Sequence, residues 1–258
     1  MFAAVAMVRP SHEEWPHGKN RIGASNGAIP RGRIVGMETF PVTERTRVRR
    51  VPQRATHVRD DVRAVLDAGF VCHLGFVADG RPIVIPTTYV RIDDTVAVHG
   101  SAASRTLEAA ADGVDVCLVV TLLDGLVLAR SAFHHSVNYR SAVVFGRGRA
   151  ITDEARKLAA LRAFTDRVAP GRWDVVREPN AQEMKATLVL ERQLQEAVAK
   201  IRTGGPIDDE QDLALPVWAG VIPLATQADA AIPATDCAPG TTPPAVVLPG
   251  LVADGASR

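Results

Sequence analysis

Apolar residues recur with two different periods along this chain, and each change of period marks where an element begins or ends. Val58, Val62, Val65 and Leu66 stand at i, i+4, i+7 and i+8, the spacing of one helix face. They predict a short helix, led in by Val51 to His57 and capped at its C-terminus by Gly69. From Phe70 the pattern shortens to strands broken by tight turns: Phe70 to Val77, then Pro82 to Arg91 after Asp79-Gly80, then Thr95 to His99 after Asp93-Asp94. Val114 to Leu123 is almost unbroken apolar sequence and needs cover on both faces; Asp124-Gly125 reads as a turn into Leu126 to Ala129. Tyr139 to Ile151 is the last long strand, and Gly146 and Gly148 inside it predict a bend or bulge.

Helical spacing returns after Ser104, which opens a short helix, and again from Asp153 to Val168. The second of these has Thr152 as its cap, Pro170-Gly171 as its stop, and Leu158, Leu161, Phe164 and Val168 as its buried stripe. Further on, a strand is expected near Thr187 to Glu191 and a helix across Glu196 to Lys200. Hairpins, few helices and glycine-bent strands together predict a mainly β (α+β) fold: a small closed antiparallel barrel with peripheral helices at its ends. One domain over 37–224 is expected between a disordered N-terminal arm, 1–36, and a flexible C-terminal tail, 225–258; Met37 is a candidate alternative start. The tail follows from composition, since eight of the seventeen prolines lie after Thr203.

A hydrophobic content of 47% over 258 residues is ample for a packed core. Thirty basic and 29 acidic residues leave a formal charge of +1, so no nucleic-acid or membrane surface is expected and any anion site must be local. Cys72, Cys117 and Cys237 are far apart and read as buried thiols of a reducing, cytoplasmic setting. No apolar run reaches the length of a membrane span.

The stretch TVAVHGSAASRTLEAAA, Thr95 to Ala111, joins a strand to a helix through small residues. Its hydroxyls, helix N-terminus and Arg105 suit a phosphate, although Ser104 as a plain cap and Arg105 as a solvated charge fit equally well. Arg140, a guanidinium in an apolar run, is expected to meet an anion. His73 reads as a core histidine, and Asp208, Asp209 and Glu210 as a solvated turn. His134 and His135, taken as strand neighbours, point to opposite faces, which excludes joint zinc chelation; His135 is the candidate for a ligand-facing or proton-donating role. Ser136 lacks a nucleophile elbow, and no Gly-x-Gly-x-x-Gly follows a strand, so neither a hydrolase triad nor a Rossmann dinucleotide site is expected.

The segments VCHLGFVADGRPIVIPTTYVR, VAVHGSAASR, LLDGLVLARSAFHHSVNYRSAVVFG, PGRW and KIRTGGPIDDE, in that order, resemble the flavin-nucleotide-binding branch of the pyridoxamine 5′-phosphate oxidase-like superfamily, near the nitroimidazole-resistance reductases. The likeness runs from about Val51 to Leu224. It implies a split β-barrel and a homodimer with FMN in the groove between subunits. Mapped onto this chain, Thr87 and Thr88 would bond the flavin ring, while His99, Ser101, Ser104 and Arg105 would hold its phosphate end. Ser131, Tyr139, Arg140 and Ser141 would complete the site, and the second subunit would offer Lys200, Arg202 and Trp218, the last better suited to be a plain interface anchor than a ring-stacking partner. The implied function is an FMN-dependent oxidoreductase that passes electrons from a reduced nicotinamide, a transient visitor, to a small nitro compound or quinone. The alternatives are a flavin carrier or sensor without turnover, and a barrel that holds deazaflavin or haem. The arginine-rich C-terminal motif of authentic pyridoxamine phosphate oxidase is absent, which argues against the vitamin substrate.

Overall fold

The computed structural model describes residues 37–111 and 113–246, apart from the side chains of Arg105 and Thr106. The arm expected over 1–36 and the last part of the expected tail, 247–258, lie outside the described residues. The elements run β1 (Ala55–Thr56), α1 (Arg59–Ala68), β2 (Val71–Ala78), β3 (Arg81–Ile92), β4 (Thr95–Ser101), α2 (Arg105–Ala111), β5 (Asp115–Leu128), β6 (Ser136–Arg147), β7 (Arg149–Ala150), α3 (Glu154–Val168), α4 (Ala181–Ala186), β8 (Thr187–Gln193), β9 (Glu196–Arg202) and β10 (Gly220–Pro223).

The strands form one sheet in the order β1-β9-β6-β5-β2-β3-β4-β8-β7, with β10 on the free stretch of β5, and every pairing is antiparallel. Alternation decides which side chains turn inward. Cys72, Leu74 and Phe76 of β2, Val96 and Val98 of β4, Val116, Leu118 and Val120 of β5, and Leu190 of β8 pack into one core, so the sheet is curled on itself as a split β-barrel. Val62, Val65 and Leu66 of α1 and Leu107 and Ala110 of α2 join the same core as peripheral helices. A gap of about 20 Å³ among Leu74, Val98, Leu118 and Leu190 is room for about one water, so the interior is packed and is no ligand chamber.

A second, smaller core lies outside the barrel, where Ala160 and Phe164 of α3 cover Val90, Ala97 and Val189. The stripe of α3 is therefore centred on Ala160 and Phe164 and not on Leu158 and Val168; Val168 is 48% exposed. The cap is Asp153, which accepts from Arg156 N at 2.8 Å, in place of Thr152.

Several expectations are corrected. Asp124-Gly125 is no turn: β5 runs straight through it, with a bulge between Leu123 and Gly125 that leaves Asp124 without a partner on β6. Glu196 to Lys200 is strand, because β1 and β6 pair with it on both sides and the ladder outweighs the helix preference of Glu, Ala and Lys. His73 is exposed, since the core-facing residues of β2 are Cys72, Leu74 and Phe76. Of the free cysteines only Cys72 is buried, its thiol pushed up to about 12 by burial; Cys117 is half-buried and Cys237 exposed. Asp208 is no solvated acid: its side chain is 2% exposed and accepts from both the amide and the guanidinium of Arg130.

Candidate functional site

A cleft of about 220 Å³ opens where the last turn of α3 passes over β3 and β4, walled by Phe70, Thr88, His99, Phe164, Arg167 and Val168. Its position follows from the strand register. Tyr89 pairs with Val98 as the last rung between β3 and β4, and one step beyond that rung Thr88 and His99 remain side by side. The same alternation that sends Tyr89 and Val98 into the barrel turns Thr88 and His99 outward, under α3.

His99 is half-buried, its ring edge-on to Phe164 with centroids 4.3 Å apart. Nδ1 is sealed from solvent and has no hydrogen-bond partner among the described residues. Such a nitrogen costs about 1 to 3 kcal/mol when left without a partner. Burial also lowers the pKa of the imidazole from its ordinary value, so the ring favours the neutral form.

Arg167, near the end of α3, forms the opposite wall. Its Nη2 donates to the carbonyls of Leu66 at 3.0 Å, Asp67 at 3.1 Å and Gly69. These carbonyls lie at the C-terminal end of α1, where the helix ladder leaves acceptors free and the dipole favours a cation. The guanidinium carbon is 5.3 Å from the centre of the Tyr89 ring, and the Tyr89 hydroxyl donates to the same Leu66 carbonyl. Burial is the chief cause that raises the Tyr89 phenol above its ordinary range, so it stays protonated.

Beside the cleft the outer faces of β2, β3 and β5 expose several apolar side chains. Val71 pairs with Thr88 at the cleft's edge, and beyond it lie Val77, Val84 and Leu123, of which Val84 is 65% exposed. A second groove, of about 370 Å³, crosses this surface between Val84, Cys117, Phe145 and Arg45.

The expected site residues fall into separate groups. Thr88 and His99 share the cleft, while Thr87, one residue before, turns the other way. Ser101 and Ser104 continue from His99 into the turn before α2; Ser101 Oγ accepts from Ala103 N, and Ser104 Oγ from Leu107 N. Arg105 opens α2, and its side chain lies outside the described residues. Tyr139 and Ser141 are on β6, three strands from β3 and so about 14 Å away across the sheet. Arg140 faces the other way and meets a carboxylate of its own chain, Asp124, through Nε at 2.9 Å and Nη2 at 2.7 Å. Ser141 donates to the Lys200 carbonyl, and Lys200 Nζ to that of Arg50. Arg202 is 3% exposed and donates to Asn138 and to the Gly204 and Gly205 carbonyls. Trp218 is 64% exposed and lies over Gly220.

His134 and His135 are not strand neighbours. Ala132 to His134 is a 3₁₀ turn capped by Ser131, with His134 against Asp209 at 3.1 Å and His135 Nδ1 2.9 Å from the Ser131 carbonyl. Sequence reasoning did not single out Phe164 or Arg167 for the site. A basic residue in a helix's last turn was the available signal for Arg167.

Residues 58–201, more than half of the chain, match the family model described as pyridoxamine 5′-phosphate oxidase. The chain is 42% identical to the flavocytochrome Anf3 from Azotobacter vinelandii, over 78% of this chain and 94% of that one, with a TM-score of 0.75. It is 37% identical to the FAD and haem binding protein from Mycobacterium smegmatis, over 74% and 94% of the two chains, with a TM-score of 0.71. A putative 5-nitroimidazole antibiotic resistance protein from Bacteroides thetaiotaomicron is more distant, at 16% identity over 57% and 86%, with a TM-score of 0.45. No curated protein matches. With more than half of its length matched by the family model, the chain belongs to the pyridoxamine 5′-phosphate oxidase family.

Proposed function

We propose that this chain is a redox protein that binds a flavin and a haem, with the cleft beside His99 as the haem site and the corner of β3, β4 and α2 as the flavin site. The observation that carries the reading is the His99 ring in a cleft with phenylalanine walls: Nδ1 is sealed and without a partner among the described residues, which leaves Nε2 as the nitrogen open to a ligand. An imidazole so placed would hold haem iron through Nε2, and its depressed pKa favours the neutral form that a metal requires. The two relatives above 30% identity support it by what they are, a flavocytochrome and a protein that binds FAD and haem.

Phe70, Phe164, Val168 and Thr88 would line the haem, the three apolar ones excluding water from its face, and Ser101 and Ser104 would offer hydroxyls to the flavin. When bound, haem and flavin supply one- and two-electron chemistry respectively, and the protein fixes their distance and polarity. The Mycobacterium relative favours FAD over the FMN implied by the sequence. A reduced nicotinamide as donor and a small nitro compound or quinone as acceptor are the finer form of this proposal.

The site is built by two copies of the chain. At about 220 Å³ the cleft is smaller than the ~300 to 1,000 Å³ that enclose a cofactor-sized ligand. The apolar surface at its edge would be covered by a second copy, which would add the missing wall. Heat release from the purified protein, followed by identification of what comes off, tests the reading: flavin and haem together are expected, and release of neither after reconstitution with both would overturn it.

A further inference from the structure

The arginines of this molecule divide by what they face. Arg63 and Arg91 are partly buried and face carboxylates, as do Arg130 and Arg140. Arg167, Arg192 and Arg202 instead donate to carbonyls or an amide, with no salt bridge among the described residues. Arg192 is wedged against Gly146 and Arg202 is sealed inside, whereas Arg167 lines an open cleft.

A guanidinium has five N–H donors in a planar fork. In Arg167 Nη2 carries all the bonds to α1, Nε is sealed without a partner, and Nη1 has no bond among the described residues. Arg167 is half-buried, and the half charge at the end of a helix offsets only part of the cost of that position. A cation held in place by its neighbours, with Nη1 unbonded among the described residues and lining the same cleft as His99, is suited to a ligand that is itself anionic.

We propose that Arg167 receives the anionic group of the cofactor held beside His99, and so fixes which end of that cofactor lies under α3. This rests on the reading of the cleft as a cofactor site. The group is an oxyanion gripped by the guanidinium: a haem propionate under the proposed function, or a flavin phosphate should the flavin occupy this cleft in place of the haem. The bond is additional to the clamp on α1, so loss of Arg167 would act on both stability and orientation.

Because truncation also loosens α1, the test compares ratios of affinities in the full chain. Apo protein is titrated with haem and with haem dimethyl ester, and separately with FMN and with riboflavin. Wild type is expected to prefer one charged form over its uncharged partner by about tenfold or more. In Arg167→Gln that ratio falls towards one, and in Arg167→Met likewise should the first variant not fold. Collapse of the haem ratio assigns the propionate, and collapse of the flavin ratio the phosphate. Ratios unchanged beside a lower melting temperature would overturn the inference and leave Arg167 as a clamp on α1. Failure of wild type to bind haem and flavin at all would instead overturn the proposed function, and this inference with it.

Discussion

At the scale of single residues, His99 and Arg140 show how far residue type alone can be read. The partner of Arg140 was legible as an anion, because a guanidinium in an apolar run needs one, but its identity depends on a bulge that brings Asp124 alongside. A double-mutant cycle of Arg140→Met with Asp124→Asn should give a coupling of about 0.5 to 1 kcal/mol, modest because both groups are about a third exposed; additive losses would contradict the pairing. For His99 the sign follows from its lowered pKa. The unfolded chain takes up a proton near pH 6.5 while the folded imidazole resists it, so stability is lost as pH falls through that value. Urea midpoints at pH 7.5 and 5.5 should therefore differ less in His99→Phe than in wild type, and equal differences would contradict burial of the neutral ring. The orphaned Nδ1 could not be read from sequence, since it depends on α3 folding over β4.

At the scale of elements, local chemistry was legible wherever a turn or cap dictated it. Asp79 and Gly80 carry the left-handed φ values of 51° and 70° expected of a tight hairpin, and α1 has the predicted face. It failed where pairing overrode preference, as in β9, whose Glu, Ala and Lys would favour a helix in isolation. The bend at the end of β6 was legible from its glycines: Gly146, near the end of the strand, has φ 145°, and Gly148 separates β6 from β7, which pairs with a different strand. A side chain there would be strained and would meet the Arg192 guanidinium, which donates to the Phe145 carbonyl at 3.0 and 3.2 Å. Gly146→Ala should cost about 1 to 3 kcal/mol by chemical denaturation. A neutral result would mean that the strand does not need its bend.

At the scale of the whole molecule, the split barrel was legible because its signals are local: hairpins, alternation and glycine bends. The cleft was less so, because it lies between elements far apart in the chain, with Phe70, His99 and Arg167 meeting only after the sheet has curled. The exposed apolar face of β2 and β3 has the same origin. If the proposed second copy sits on this face, Val84→Asp should leave the barrel folded, shift the proposed dimer to monomer in sedimentation, and lower cofactor content with it; an unchanged oligomeric state would place the second copy elsewhere or remove it from the proposal. The most direct measurement of the central claim is the visible spectrum of His99→Ala beside wild type, both loaded with haem and FAD. Wild type is expected to show the haem band of an imidazole-ligated iron, and the variant to lose it while its fold persists by circular dichroism. An identical haem band in both proteins would contradict the central claim.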